Sequence, residues 1–137
     1  MGKGGQHFRE FNWLVKKSKS ICGKEGSRVK KYAFLILSDR YVPEKHNVCF
    51  EESEDLHTYI FTVRSFEEAR EKVLQLGKEG FGAIELCGAF GKERAEELVD
   101  LTGHRIAIGY VVNDSRLDEA FKKFFSKQKV RASGSSN

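Results

Sequence analysis

The chain has 137 residues, of which 39% are hydrophobic and 32% charged. That supports one folded domain and excludes both an intrinsically disordered chain and a pair of ordinary-sized domains. Its longest apolar run, Tyr32–Leu37, falls far short of the roughly 20 residues of a membrane-spanning helix, and no signal-type apolar stretch follows the basic start.

The formal net charge of +4 is unevenly spread. Residues 1–31 hold nine basic and two acidic side chains, and residues 122–137 hold five basic and none acidic. The stretch 32–121 therefore carries ten basic and eighteen acidic residues. An acidic body with basic ends lacks the continuous cationic face of a nucleic-acid binder, so nucleic acid is not expected as a partner. Cys22, Cys49 and Cys87 share no CxxC spacing, and their odd number suits a reducing, cytoplasmic setting better than a disulfide framework. The histidines form no zinc-type cluster, so no metal site is expected.

In chain order, residues 1–31 read as a basic extension, with Phe8, Phe11, Leu14 and Val15 at helical spacing. The ordered domain is expected over 32–125, followed by a disordered tail over 126–137. Tyr32–Leu37 reads as a strand covered on both faces. A long loop follows, carrying Lys45, His46 and the acidic run Glu51, Glu52, Glu54, Asp55, which reads as a solvated hairpin or edge. His57–Val63 is a second strand. Ser65 with Glu68 then forms a capping box for a helix whose inner face is Ala69, Val73 and Leu76.

Ala83–Cys87 is the third strand, and Gly88-Ala89-Phe90-Gly91 turns into a second helix that Gly103 stops. Ile106–Val112 is the fourth strand. Asn113-Asp114-Ser115 starts a last helix, with Leu117, Ala120, Phe121 and Phe124 expected to face inward. Strands alternating with helices imply right-handed crossovers and an open, mostly parallel four-stranded α/β sheet with helices packed on it. A flavodoxin-like or Rossmann-like sandwich is expected, with a ferredoxin-like sheet as the alternative.

Ligands of open parallel sheets bind beyond the strand carboxyl ends. Here that nominates the residues after the first strand, Glu85–Gly91, and the segment at Asn113. Glu85 lies inside an apolar strand, where an unpaired carboxylate is costly, which makes it a candidate acid or base. Cys87 precedes a glycine turn and a helix N-terminus, the setting of a nucleophilic thiol as well as of an ordinary buried one. His46 is the acid/base candidate of the long loop, and Lys45 is placed to hold an anion. Gly88 and Gly91 allow a ligand close to the backbone, with Phe90 and Asn113 beside it. The same glycines also fit a plain tight turn with Phe90 plugging the core.

Pro43-Glu44-Lys45-His46 and Ile84-Glu85-Leu86-Cys87-Gly88-Ala89-Phe90-Gly91 resemble two motifs of a family of small prokaryotic α/β proteins classed only as a domain of unknown function. The resemblance spans about residues 32–113, with Ala89 standing where the family has glycine. It implies a site at His46, Glu85, Cys87, Gly88 and Gly91 and brings no reaction or cofactor with it.

Three functions are carried forward from these residues, and nucleic-acid binding through the basic termini ranks last of them. The first is a small-molecule site for an anionic or carbonyl ligand, with acid/base chemistry at Glu85 and His46. The second is a homo-oligomeric interaction module, because Phe121, Phe124 and Phe125 exceed what one inner helix face needs.

Overall fold

The computed structural model describes residues 29–126. Strand β1 (Lys30–Leu37) is the centre of the sheet, paired in parallel with β3 (Leu56–Val63) on one side and β4 (Ala83–Leu86) on the other. Beyond β4 lies β5 (Ala107–Tyr110), also parallel. Beyond β3 lies the short β2 (Val48–Phe50), which runs antiparallel. The sheet order is therefore β2-β3-β1-β4-β5.

Five strands replace the four expected. The additional one, β2, comes from the long loop, where Val48-Cys49-Phe50 is too short for a periodicity to show. It folds back on β3 through a turn at the acidic run. There the Ser53 hydroxyl donates to Asp55, the Leu56 N–H donates to Ser53 Oγ, and Thr58 Oγ1 donates to Glu52. The acidic side chains are thus the solvated tip of a hairpin.

Helix α1 (Phe66–Lys78) follows β3, and α2 (Gly91–Leu101) follows β4. Ser65 caps α1 by accepting the Glu68 N–H at 3.1 Å. Glu68 reaches back one residue further than a standard capping box, accepting the Arg64 N–H at 2.8 Å and binding its guanidinium. Ala69, Val73 and Leu76 are buried, as the spacing predicts. They meet Leu35, Tyr59, Phe61, Ile84, Leu86 and Leu98 in one core between the helices and the sheet.

The helices α1 and α2 pack against each other and so share a face of the sheet. Handedness explains this. The β3-to-β4 and β4-to-β5 connections step across the sheet in the same direction, and right-handed crossovers taken in one direction lie on one side. The β1-to-β3 connection steps the other way, which would place its covering element on the opposite face. That connection contains β2 and turns instead of a helix. Among the described elements, no helix covers this second face.

The expectation that Tyr32–Leu37 is buried on both sides is corrected accordingly. Ala33 and Leu35 are fully buried beneath the helices, whereas Tyr32, Phe34 and Ile36 on the open side are half-buried. The last helix, α3 (Asp118–Phe125), departs further from expectation. It follows a 3₁₀ turn (Ser115–Leu117) capped by Asp114, and none of its residues is buried. The inward face assigned to Leu117, Ala120, Phe121 and Phe124 is exposed.

Cys49 is disulfide-bonded and Cys87 is free. This corrects the reading of uniformly reduced thiols, since spacing along the chain does not report proximity in space. No helix among the described residues is long and apolar enough to cross a membrane. The expected basic extension, apart from its last residues, and nearly all of the tail lie outside the described residues.

Candidate functional site at the open sheet face

Strand register places Val48, Ile60, Phe34, Glu85 and Gly109 in one line across the sheet. All five belong to the open face, because their neighbours Ala33, Leu35, Tyr59, Phe61, Ile84 and Leu86 point into the helical core. Glu85 is the ionisable member of this otherwise apolar line. Its carboxylate extends sideways over Gly109, where a Cβ would sit 2.9 Å from the Glu85 carboxyl carbon. Any side chain on that residue would occupy the place of the carboxylate.

Glu85 is half-buried, and the described residues offer it neither a hydrogen bond nor an ion pair. Its charge reaches Tyr32 on the next line of the face. Burial first, and the Glu85 charge second, push the Tyr32 phenol above its usual 10.0. Tyr32 is thus a neutral hydroxyl beside a carboxylate. Neither Tyr32 nor Gly109 stands out in the sequence as a site residue, because their significance comes from cross-strand register.

The carboxyl ends of β1, β4 and β5 form a seam. The Leu37 N–H donates to Cys87 Sγ at 3.3 Å, the Cys87 N–H to Leu35 O, and the Val111 N–H to Leu86 O. Cys87 is a free thiol, half-buried between β1 and the following turn. The turn closes through the Phe90 N–H on Cys87 O at 3.1 Å. Gly88 is exposed beside the Val111 carbonyl, and Gly91 has a φ of 74°, a conformation that side chains resist.

No side chain caps α2, so its first-turn N–H groups lack the oxygen that Ser65 gives α1. Phe90 is 3% exposed and packs against Phe66 at 6.5 Å between ring centroids. It holds the turn to the core and does not line the site.

His46 ends the Pro43-Glu44-Lys45-His46 turn. The Lys45 and His46 N–H groups both donate to Val42 O, and the Val42 N–H donates to His46 Nδ1 at 2.9 Å. With Nδ1 accepting, a neutral imidazole carries its proton on Nε2 and presents a donor. Thr62 Oγ1 donates to His46 O at 2.7 Å, which fixes the turn to the open-face end of β3. Thr62 and Glu85 stand on strands separated by β1, a gap of about 10 Å. His46 and Glu85 therefore stand apart, on either side of β1.

Lys45 and Asn113 are exposed at the rim of these ends, and among the described residues no bond joins them to the other candidates. Among the described residues, no group of three His, Cys, Asp or Glu side chains is arranged to hold a metal ion.

The chain belongs to DUF6506, a family of unknown function whose family model matches residues 30–126. No curated protein and no solved structure matches it.

Proposed function

We propose that this domain binds a small carbonyl- or carboxylate-bearing molecule on the open sheet face, between the β4 and β3 carboxyl ends, and moves a proton on it. The observation that carries the reading is the Glu85 carboxylate, set half-buried over Gly109 in an apolar line with no bonding partner among the described residues. A carboxylate so placed is stabilised by a ligand that brings a donor or a proton.

The strand order supports the location. With the antiparallel β2 set aside, the first parallel strand lies between the second and third, as in a flavodoxin-like sheet that has lost one helical layer. The crevice of such a sheet opens where successive connections leave to opposite sides, here between β1 and β4. Cys87 sits at that point.

In this reading Glu85 takes the proton, and the His46 Nε2–H donates to the developing oxyanion across the gap. The N–H groups of the Gly88–Gly91 turn hold an anionic end of the ligand, and Lys45 adds positive charge at the rim. Cys87 lines the crevice.

The test is a thermal-shift screen of the full chain against keto acids, hydroxy acids, sugar phosphates and nucleotides, with Glu85→Gln and His46→Ala run alongside. A ligand at a hundred times its dissociation constant adds about 2.7 kcal/mol of stability. A hit on the native chain that disappears in Glu85→Gln supports the site. A hit retained at full size in both variants, or no hit across the panel, overturns it.

A further inference from the structure

We infer that the open sheet face is covered by helix α3 of a second copy of this chain, each copy laying its helix on the other's sheet. Sheets of parallel strands are almost always covered on both faces, since their strands are apolar on both sides. Here the open side presents Tyr32, Phe34, Ile36 and Ile60 half-buried and Phe50 half-exposed.

The same chain carries a surface of the matching kind that is left exposed in the described domain. Phe121, Phe124 and Phe125 are 39%, 80% and 72% exposed. Phe121 stacks on Phe125, and Phe124 meets Phe125 edge-on at 5.0 Å, so the three rings make one continuous patch. Helix α3 packs mainly on the 3₁₀ turn before it. An eight-residue helix this exposed is marginal without a partner surface. Patches of this sort on folded domains mark interfaces.

Dimensions and charge agree with a second copy as the occupant. Helix α3 is about 12 Å long, and the three central strands β3, β1 and β4 span about 10 Å. Three phenylalanines at these exposures offer roughly 400 Å² of aromatic surface. Two reciprocal contacts, with both sides counted, reach on the order of 1,500 Å², the size of a stable interface. Lys123 flanks the aromatic stripe and has no ion pair among the described residues. It brings a cation to the face whose central carboxylate, Glu85, has no cationic partner among the described residues. Reciprocal exchange closes as a two-fold dimer and leaves no helix unsatisfied.

A helix on the centre of this face and a small molecule at Glu85 exclude each other there, so this inference is an alternative to the ligand reading, and its test, the oligomeric state, does not depend on ligand binding. It is tested on the full chain by sedimentation equilibrium, with the double variant Phe124→Asp/Phe125→Asp and the sheet variant Phe34→Lys. The native chain is expected to be a dimer at about 10 μM, and each variant alone to dissociate at least 100-fold more readily. Circular dichroism of the helix variant, changed only at exposed residues, should be native.

Mixing the two variants is the decisive arm. An intact helix then meets an intact sheet in one of the two contacts, so a heterodimer forms where neither variant self-associates. If Phe34→Lys does not fold, a helix variant that remains dimeric still overturns the proposal. A monomeric native chain at about 100 μM overturns it as well. So does a dimer that survives either substitution, since that contact runs helix to helix, sheet to sheet or along the β5 edge.

Discussion

Gly109 makes room for Glu85. The two residues face each other on neighbouring strands β4 and β5, and the carboxylate occupies the space that a side chain on Gly109 would take. A glycine inside a strand ordinarily weakens it, so its presence here marks a close approach. Gly109→Ala should therefore destabilise the fold by about 1–3 kcal/mol, the usual cost of an overpacked site. In a Glu85→Ala background the same change should cost little or even stabilise, giving a coupling of about 1 kcal/mol or more by urea denaturation. Additive effects of the two substitutions would mean that the carboxylate does not lie over Gly109.

Tyr32 reports on the same carboxylate. Its phenol is raised by burial and by the Glu85 charge, so it loses its proton later than an ordinary tyrosine. Glu85→Gln removes the second cause and leaves the first. The alkaline absorbance titration of the variant should show one tyrosine moving down towards its usual range while staying above it. A titration superimposable on the native one would separate Tyr32 from Glu85.

Helix α1 offers a test of local design. Ser65→Ala removes the acceptor for the Glu68 N–H and should cost about 1 kcal/mol, in the range found for N-caps. Glu68→Ala should cost a comparable amount through the exposed Arg64 backbone and guanidinium contacts, and this part should shrink at high salt. Both are measured by thermal or urea unfolding, and a salt-independent Glu68 effect would assign the loss to packing instead.

How far the sequence carried the structure differs from element to element. Helix α1 was legible because its cap, apolar spacing and glycine exit all point the same way. Strands β1, β3 and β4 were legible as β-branched and aromatic runs bounded by turns. Helix α3 has a regular apolar stripe too, yet a stripe states only that something must cover it, and none of Phe121, Phe124 and Phe125 is buried in the described domain. Strand β2 was lost because three residues carry no period.

The site was half legible for a related reason. Glu85 was visible as a carboxylate in an apolar strand, whereas Gly109 and Tyr32 acquire meaning only through register, which no local pattern encodes. Phe90, nominated beside the glycine turn, was claimed by the core because a turn that brings α2 onto the sheet needs a large side chain beneath it.

Lys72 supplies a prediction on the helical side of the sheet. It is 6% exposed on α1, with its ammonium 4.0 Å from the centroid of the Phe61 ring. Burial lowers its pKa from 10.5 to about 8, partly opposed by the nearby Glu79 charge. The folded-state value is thus below the unfolded one. Below pH 8 both states hold the proton and the cost of the buried cation is fully present. As pH rises from about 8 towards 10.5 the folded state releases the proton first, so that cost is relieved. By pH 9.5 the gain is about 2 kcal/mol on the usual 1.4 kcal/mol per unit. Lys72→Met keeps the stem, drops the charge and should be at least as stable as the native chain at pH 7. The native-minus-variant stability, from urea unfolding at pH 7 and pH 9.5, should then rise by that amount. A difference that stays flat across the interval would show that the Lys72 ammonium reaches water in solution and that the Phe61 contact is only one of its positions.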